Sequence, residues 1–364
     1  MTHAKYRWMT VGALAGGCAG LMGMTAMLNA GFALGENSAL IMGSAFNPTP
    51  DDTYMQKIMD GFITPEHPFE GQPTFDGYTP VSVFTPETDY GAGLTQGVAD
   101  LNTAITKALA DGGNAVVFGY SMSASVATQE LIDLAKLPPG EAPSPDHLRF
   151  VLLEDLNGPN GGFFTRIPGS GMPAMPDDSP YHTDIYNIEY SGGSDLPQYL
   201  WNPFAVANAM AGYLDLHTAY LANFPTTTFD PAAIQDAVQL PTSAADINTD
   251  YFLIPTQDLP LLAGWRTIPG IGNAMADLIQ PDLRVLVDLG YDRSGDADVV
   301  TPGTFTVPNI DWDTVMHNLE LGAQQGYTAF LIDLGMSKAE MPDIYPFVPD
   351  LAGQIADPGM IGLS

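Results

Sequence analysis

The stretch Ala115-Val116-Val117-Phe118-Gly119-Tyr120-Ser121-Met122-Ser123 decides the reading of this chain. A short apolar run of this kind is a buried strand. It ends in Gly-Tyr-Ser-Met-Ser, and a helical pattern follows from Ala124 to Lys136. Strand, sharp turn and helix are the setting of a nucleophile elbow, here with Ser123 where the usual pattern has its last glycine. The turn strains the Ser121 backbone and turns its Oγ away from the sheet. Small residues are needed two positions to either side, where strand and helix pass closely, and Gly119 and Ser123 supply them. The Met122 N–H opens the next helix, where free amides and the helix dipole favour a developing oxyanion.

The chain has 364 residues and ordinary apolar content, enough for a large core. Its formal net charge is −31, from 42 Asp and Glu against 11 Lys and Arg. The acidity is spread along the chain, which describes a solvated surface and argues against nucleic acid as a partner. Cys18 is the single cysteine, so the body has no disulfide and no cysteine-based metal site. There is no His-x-x-x-His pair, no Cys-x-x-Cys pair and no phosphate-cradling glycine loop. The expectation is an enzyme with no cofactor and no metal.

Residues 1–35 differ from the rest. Lys5 and Arg7 precede an uncharged run from Trp8 to Gly35, long enough to span a bilayer. Basic residues before it and an acidic body after it predict an inside N-terminus and an outward-facing body. An N-terminal transmembrane anchor is the preferred reading. A cleaved signal peptide, cut within Asn29-Ala30-Gly31-Phe32-Ala33, is the alternative and would yield a secreted protein.

Beyond it, strands are expected at Ser38–Gly43, Val81–Phe84, Arg149–Glu154, Ile185–Tyr190, Tyr251–Ile254 and Leu283–Val287. Helical patterns cover Gly91–Ala110, Pro203–Tyr220 and Trp312–Gly326. Strands alternating with helices predict an α/β fold, a mostly parallel sheet covered on both faces, with ligands at the carboxyl ends of the strands. Residues 36–300 read as the catalytic domain, and 301–364 as a C-terminal extension packed on it. The Gly-, Pro- and Met-rich segment Gly158–Thr183 shows no regular structure. It reads either as a pliable apolar cover or as a plain surface excursion.

A serine nucleophile needs a base and a carboxylate that orients the base. The chain order Ser, acid, His excludes His3 and His67. His147 and His182 precede strands and fall at the wrong end of the sheet, and His317 sits among charged helix residues. His217 remains. Asp195, just past a strand end and ahead of His217, is the favoured acid, with Asp155 and Asp258 as alternatives. The second oxyanion donor belongs to the loop after the first strand, at the N–H of Ser44 or Ala45.

Several motifs together resemble the PE-PPE C-terminal domain family of mycobacteria. They are Gly119–Ser123, Asn47-Pro48-Thr49-Pro50, Asn157–Gly162, Tyr190–Pro197, His217-Thr218-Ala219-Tyr220 and Leu259-Pro260-Leu261-Leu262. The resemblance covers roughly residues 38–295. It implies an α/β-hydrolase of cutinase-like type with Ser121 as nucleophile. It supports Asp195 through the Asp-hydrophobic-Pro element and His217 through the His-x-x-Tyr element. Met122 stands where Gln is common, and Ser191 replaces a frequent Asp. An apolar segment stands where members carry a PE or PPE helical module. Membrane-attached members of this kind imply acyl transfer between cell-envelope glycolipids such as acylated trehaloses. Lipid or glycolipid donors and acceptors are therefore the expected partners, with ester hydrolysis as the alternative activity and a non-catalytic lipid-binding fold as a second. Oligomeric state has no sequence signature here.

Overall fold

The computed structural model describes residues 36–64, 75–218 and 231–364, apart from residues 111, 139, 168 and 247. The apolar segment 1–35, with its anchor or signal reading, and the His67 and Tyr220 positions lie outside the described residues. Among those described, no helix is long and apolar enough to cross a membrane.

Seven strands form one sheet: β1 (Ser38–Ile41), β2 (Thr79–Ser82), β3 (Ala115–Tyr120), β4 (Leu148–Leu153), β5 (Thr183–Ile188), β6 (Val238–Gln239) and β7 (Thr249–Ile254). Their spatial order is β2-β1-β3-β4-β5-β7-β6. All pairs are parallel except β6 with β7. Every side chain of β3 and β5 is buried, as expected for parallel strands covered on both faces.

Alternate residues of each strand feed two cores. On one face Leu40, Val117, Phe150 and Ile185 pack under α2 (Ala92–Leu109) and α3 (Met122–Ala135). On the other, Ile41, Phe118, Tyr186 and Phe252 meet α1 (Asp52–Ile58), the π-helical turn Met59–Ile63, α5 (Pro203–Asp215) and α7 (Gly272–Asp288). The short α4 (Phe163–Arg166) and α6 (Ala263–Arg266) lie in connections. Residues after 300 carry α8 (Trp312–Asp333) and α9 (Leu351–Ala356), and a third core of Val285, Val315, Tyr345 and Ile361 joins them to α7.

Two expectations are corrected. Leu283–Val287 is not a strand but the last turns of α7. A five-residue apolar run has no decisive period. The helix is selected because Arg284 and Asp288, four apart on one face, both enter a buried polar cluster. Gly326 lets α8 press against it, since a Cβ there would lie 2.1 Å from the Leu278 carbonyl oxygen. The segment Gly158–Thr183 is not simply irregular. Its first part forms α4, Arg166 is buried and donates to the Leu196, Thr301 and Asn160 oxygens, and Met175 sits in the core beneath α3.

Four carboxylates are enclosed by this packing, and burial pushes each up to about 7: Glu87, Glu130, Asp155 and Glu189. Unfolded, such groups lose their protons near pH 4. Between about pH 4.5 and about 7 the native state therefore binds more protons than the unfolded one, and stability falls as pH rises. Thermal melts followed by circular dichroism should give a higher midpoint at pH 5.5 than at pH 8; the opposite ranking contradicts this account.

Candidate active site

Ser121 follows β3 directly, with φ 58° and ψ −112°, a left-handed conformation that non-glycine residues rarely adopt. A Cβ on Gly119 would lie 2.7 Å from the Ser123 carbonyl oxygen, so strand and helix do pass as closely as the sequence implies. Ser123 does more than fit: its Oγ accepts a 2.8 Å hydrogen bond from the Tyr120 N–H, fastening the turn. Met122 is the first residue of α3, and amides of a first helical turn have no partner within the helix.

Ser121 Oγ lies 2.7 Å from His217 Nε2, and both residues are buried, at 8% and 4% exposure. His217 follows α5. The Tyr120 hydroxyl donates to the His217 carbonyl oxygen, and the Tyr213 ring stacks on the imidazole at 4.9 Å and 12°. The sequence pairing of Ser121 with His217 is thus what the structure brings together.

The third member differs from the expected one. His217 Nδ1 is 2.7 Å from Glu154 Oε2. Glu154 follows β4, the strand beside β3, and its φ of 56° repeats the turn made at Ser121. Its other oxygen, Oε1, accepts from the Ile188 N–H at 2.6 Å and from the Ser194 hydroxyl at 2.7 Å. The carboxylate is wholly buried and oriented from three sides.

Asp195 does not reach His217. Its Oδ2 accepts from the Tyr190 N–H at 2.8 Å and from Arg293 Nη2 at 2.6 Å. Arg293 also lies 3.8 Å from Glu189 and 4.3 Å from the centre of the Tyr291 ring. Asp195 therefore holds the loop after β5 to a buried arginine. The alternatives are also placed elsewhere. Asp155 points away from Glu154 and meets Asn157 N–H and Thr128. Asp258 is ion-paired with Arg266. The sequence signal for this acid is a carboxylate at the carboxyl end of the strand after the elbow, where the alternative Asp155 adjoins Glu154.

The Tyr190–Pro197 element still belongs to the site. Ser194 orients Glu154, and a Cβ on Gly193 would lie 2.4 Å from His217 Nδ1, so only glycine leaves room for the imidazole. The Gly193 carbonyl accepts from the Phe163 N–H, which draws α4 to the site. Phe163 and Phe164 of α4 and Tyr90 form an edge-to-face series at 5.7 and 4.8 Å.

On the other side, register pairs Ile41 with Phe118, which brings the loop after β1 next to the elbow. There Asn47 N–H closes a turn on the Ser44 carbonyl, Ser44 is buried, and Gly43 is required because a Cβ would meet the Asn47 oxygen at 1.9 Å. Ser44 and Ala45 thus lie where the sequence expects the second donor loop. His147 and His182 sit at the amino ends of β4 and β5, away from Ser121, and His317 is exposed on α8.

The PE-PPE domain model matches residues 60–292. The chain belongs to this family. It is 39% identical over 342 residues to PE family protein PE3 of Mycobacterium tuberculosis, covering 89% of this chain and 68% of that protein. To Esterase PE16 of the same organism it is 40% identical over 287 residues, 76% of this chain and 53% of the relative. To Diacyltrehalose acyltransferase Chp2, also of M. tuberculosis, it is 31% identical over 229 residues, 58% and 62% of the two chains. The chain thus spans about two thirds of PE3 and about half of PE16.

Three substitutions test the geometry of this PE-PPE member. Glu154→Gln should lower kcat for a chromogenic acyl ester by roughly 10⁴-fold, because the imidazole loses its orienting carboxylate. Asp195→Asn should chiefly lower the melting temperature, since Arg293 loses its nearest partner. Gly193→Ala should displace His217 and cut kcat by about 10²-fold or more while the melting point changes little. A larger kcat loss in Asp195→Asn than in Glu154→Gln would return the acid role to Asp195.

Proposed function

We propose that this chain is a serine acyl-ester enzyme that works through an acyl-enzyme on Ser121. The observation that carries it is the continuous hydrogen-bond series from Ser121 Oγ through His217 to Glu154, ending on a strained elbow. Ser121 Oγ attacks the ester carbonyl carbon while His217 Nε2 takes its proton. Glu154 holds the Nδ1–H tautomer and stabilises the imidazolium. The Met122 N–H and the N–H of Ser44 or Ala45 receive the oxyanion. Collapse expels the alkoxide, which takes the proton from His217. Water or a second hydroxyl then attacks the acyl-enzyme, giving its proton to His217, and Ser121 Oγ recovers it as the acyl group leaves.

Hydrolysis is the first reading of the acyl group's fate, supported by the name of the 40% identical relative, Esterase PE16. Transfer to a sugar hydroxyl of a glycolipid is the second. It is favoured by the burial of Ser121 and His217 and by the aromatic series of Tyr90, Phe163 and Phe164, which limits water and suits an alkyl chain. Residues 1–35 would serve as the membrane anchor that presents the domain outside the cell. Lipid donor and acceptor would then be concentrated beside the site.

A fluorophosphonate probe should label Ser121 in the folded protein and leave Ser121→Ala unlabelled. Absence of labelling on folded wild type would favour the non-catalytic lipid binder. Given an acylated sugar lipid as donor and acceptor, free fatty acid alone supports hydrolysis, and a more highly acylated product supports transfer. The full chain should stay with membranes after a high-salt wash. Release of a soluble form beginning near Gly31 or Leu34 would instead mark a cleaved signal peptide.

A further inference from the structure

At the amino ends of β5 and β7, far along the strands from Ser121, His182, Asp184 and Asp250 converge. His182 immediately precedes β5 and Asp184 is the second residue of that strand, two positions on. Asp250 is the direct register partner of Asp184 on β7. Two carboxylates facing each other across paired strands repel, and Asp184 is fully buried, which removes the water that would screen it. Arg149, close to His182, supplies one positive charge against the two carboxylates.

His182 Nε2 lies 3.2 Å from Asp184 Oδ1 and 3.7 Å from Asp250 Oδ2. That nitrogen is buried and faces both carboxylates, with Asp184 its nearer partner. One imidazole nitrogen and two carboxylate oxygens within 4.8 Å of one another present three ligand atoms to a single point, as a metal site does. Ligands of a tetrahedral ion held at about 2.0–2.1 Å stand roughly 3.3 Å apart, close to both separations. Gln239 Nε2 donates to Asp250 Oδ1 at 2.8 Å, which fixes that carboxylate with Oδ2 turned to the site.

We infer that His182, Asp184 and Asp250 form a binding site for a divalent first-row metal ion of the zinc type, clamping β5 to β7. One imidazole and two carboxylates suit zinc better than calcium or magnesium, which prefer all-oxygen shells. Water completes the coordination. The role is structural, because the site lies at the end of the sheet opposite the elbow. The sequence expectation of no metal rested on helix-type and cysteine-type spacings. Here the ligands come from a His-x-Asp at the start of one strand and an Asp 66 positions further on in another, which no local pattern reveals.

The test uses the purified chain stripped with EDTA and re-equilibrated with zinc chloride. Wild type should retain one equivalent after gel filtration, measured by inductively coupled plasma mass spectrometry, and its melting midpoint should rise by about 4 °C at 100-fold excess over Kd. Asp250→Asn, at a partly exposed position, and His182→Gln should bind zinc at least about tenfold more weakly and lose the shift. Ester turnover should stay within about twofold of wild type in each variant, because no ligand touches the triad. Wild type that retains no zinc, or variants that retain the same equivalent, overturns the site without bearing on the acyl-enzyme. Failure of Ser121 labelling would leave the zinc result standing.

Discussion

The hydrogen bond between Glu154 and His217 Nδ1 is the constraint around which the carboxyl end of the sheet is arranged. It requires a carboxylate that leaves β4 turned back across the strand end, and the left-handed φ of Glu154 provides that turn. It requires an imidazole pressed flat against a loop with no side chain, and Gly193 provides the space. It also requires the second carboxylate oxygen to be satisfied, because an unpaired buried charge costs several kcal/mol. Ile188 N–H and Ser194 meet that need. Positive φ at Ser121, Glu154 and Tyr190, after three adjacent strands, is thus one device used three times. Each such residue costs about 1–3 kcal/mol, tolerated because the surrounding packing over-determines it.

Behind this layer lies a second, wholly buried set of charges. Arg293 links Asp195 and Glu189, and Arg284 reaches the Thr256 and Gln257 carbonyls and the Tyr190 hydroxyl. Tyr190 in turn donates to Asp288, which also accepts from Gln354. With Arg166, three arginines are buried among the described residues, in the company of ten buried carboxylates. The same network ties α7 and the C-terminal residues to the loop that shapes the site. This gives a physical reason for Asp195 that has nothing to do with proton transfer: it neutralises a buried guanidinium and anchors the backbone turn at Tyr190.

The acidic surface and the apolar surroundings of Ser121 divide the molecule's chemistry. Charge keeps the outside solvated, while Tyr213 stacks on the triad imidazole and Tyr90, Phe163 and Phe164 form an aromatic series about the helix that Gly193 holds. The stack of Tyr213 on His217 adds a π-face beside a ring that becomes cationic during catalysis, a favourable arrangement worth about 0.5–2 kcal/mol. Segment 158–183 contributes to both sides. Arg166 and Met175 root it in the fold, and the Phe163 N–H ties it to the Gly193 carbonyl beside the imidazole. Its mixture of glycine, proline and apolar residues serves attachment as much as cover.

The sequence by itself determined what depends on neighbours along the chain. The apolar run before Ser121, the small residues at 119 and 123 and the helical pattern after it dictate the elbow locally, and alternation of strands with helices dictates a parallel sheet. His217 could be reached by eliminating histidines that precede strands. The acid could not be settled in this way. Glu154 and Asp155 are adjacent, and which one faces His217 depends on the pleat of β4 and on the turn at its end. Asp195 stood at a fitting position in the chain, but Arg293, 98 residues later, claims it in space. The helix over Leu283–Val287 was likewise decided by the buried partners of Arg284 and Asp288. So was the meeting of His182 with Asp250, because strand register is a property of the assembled sheet and leaves no mark at either residue.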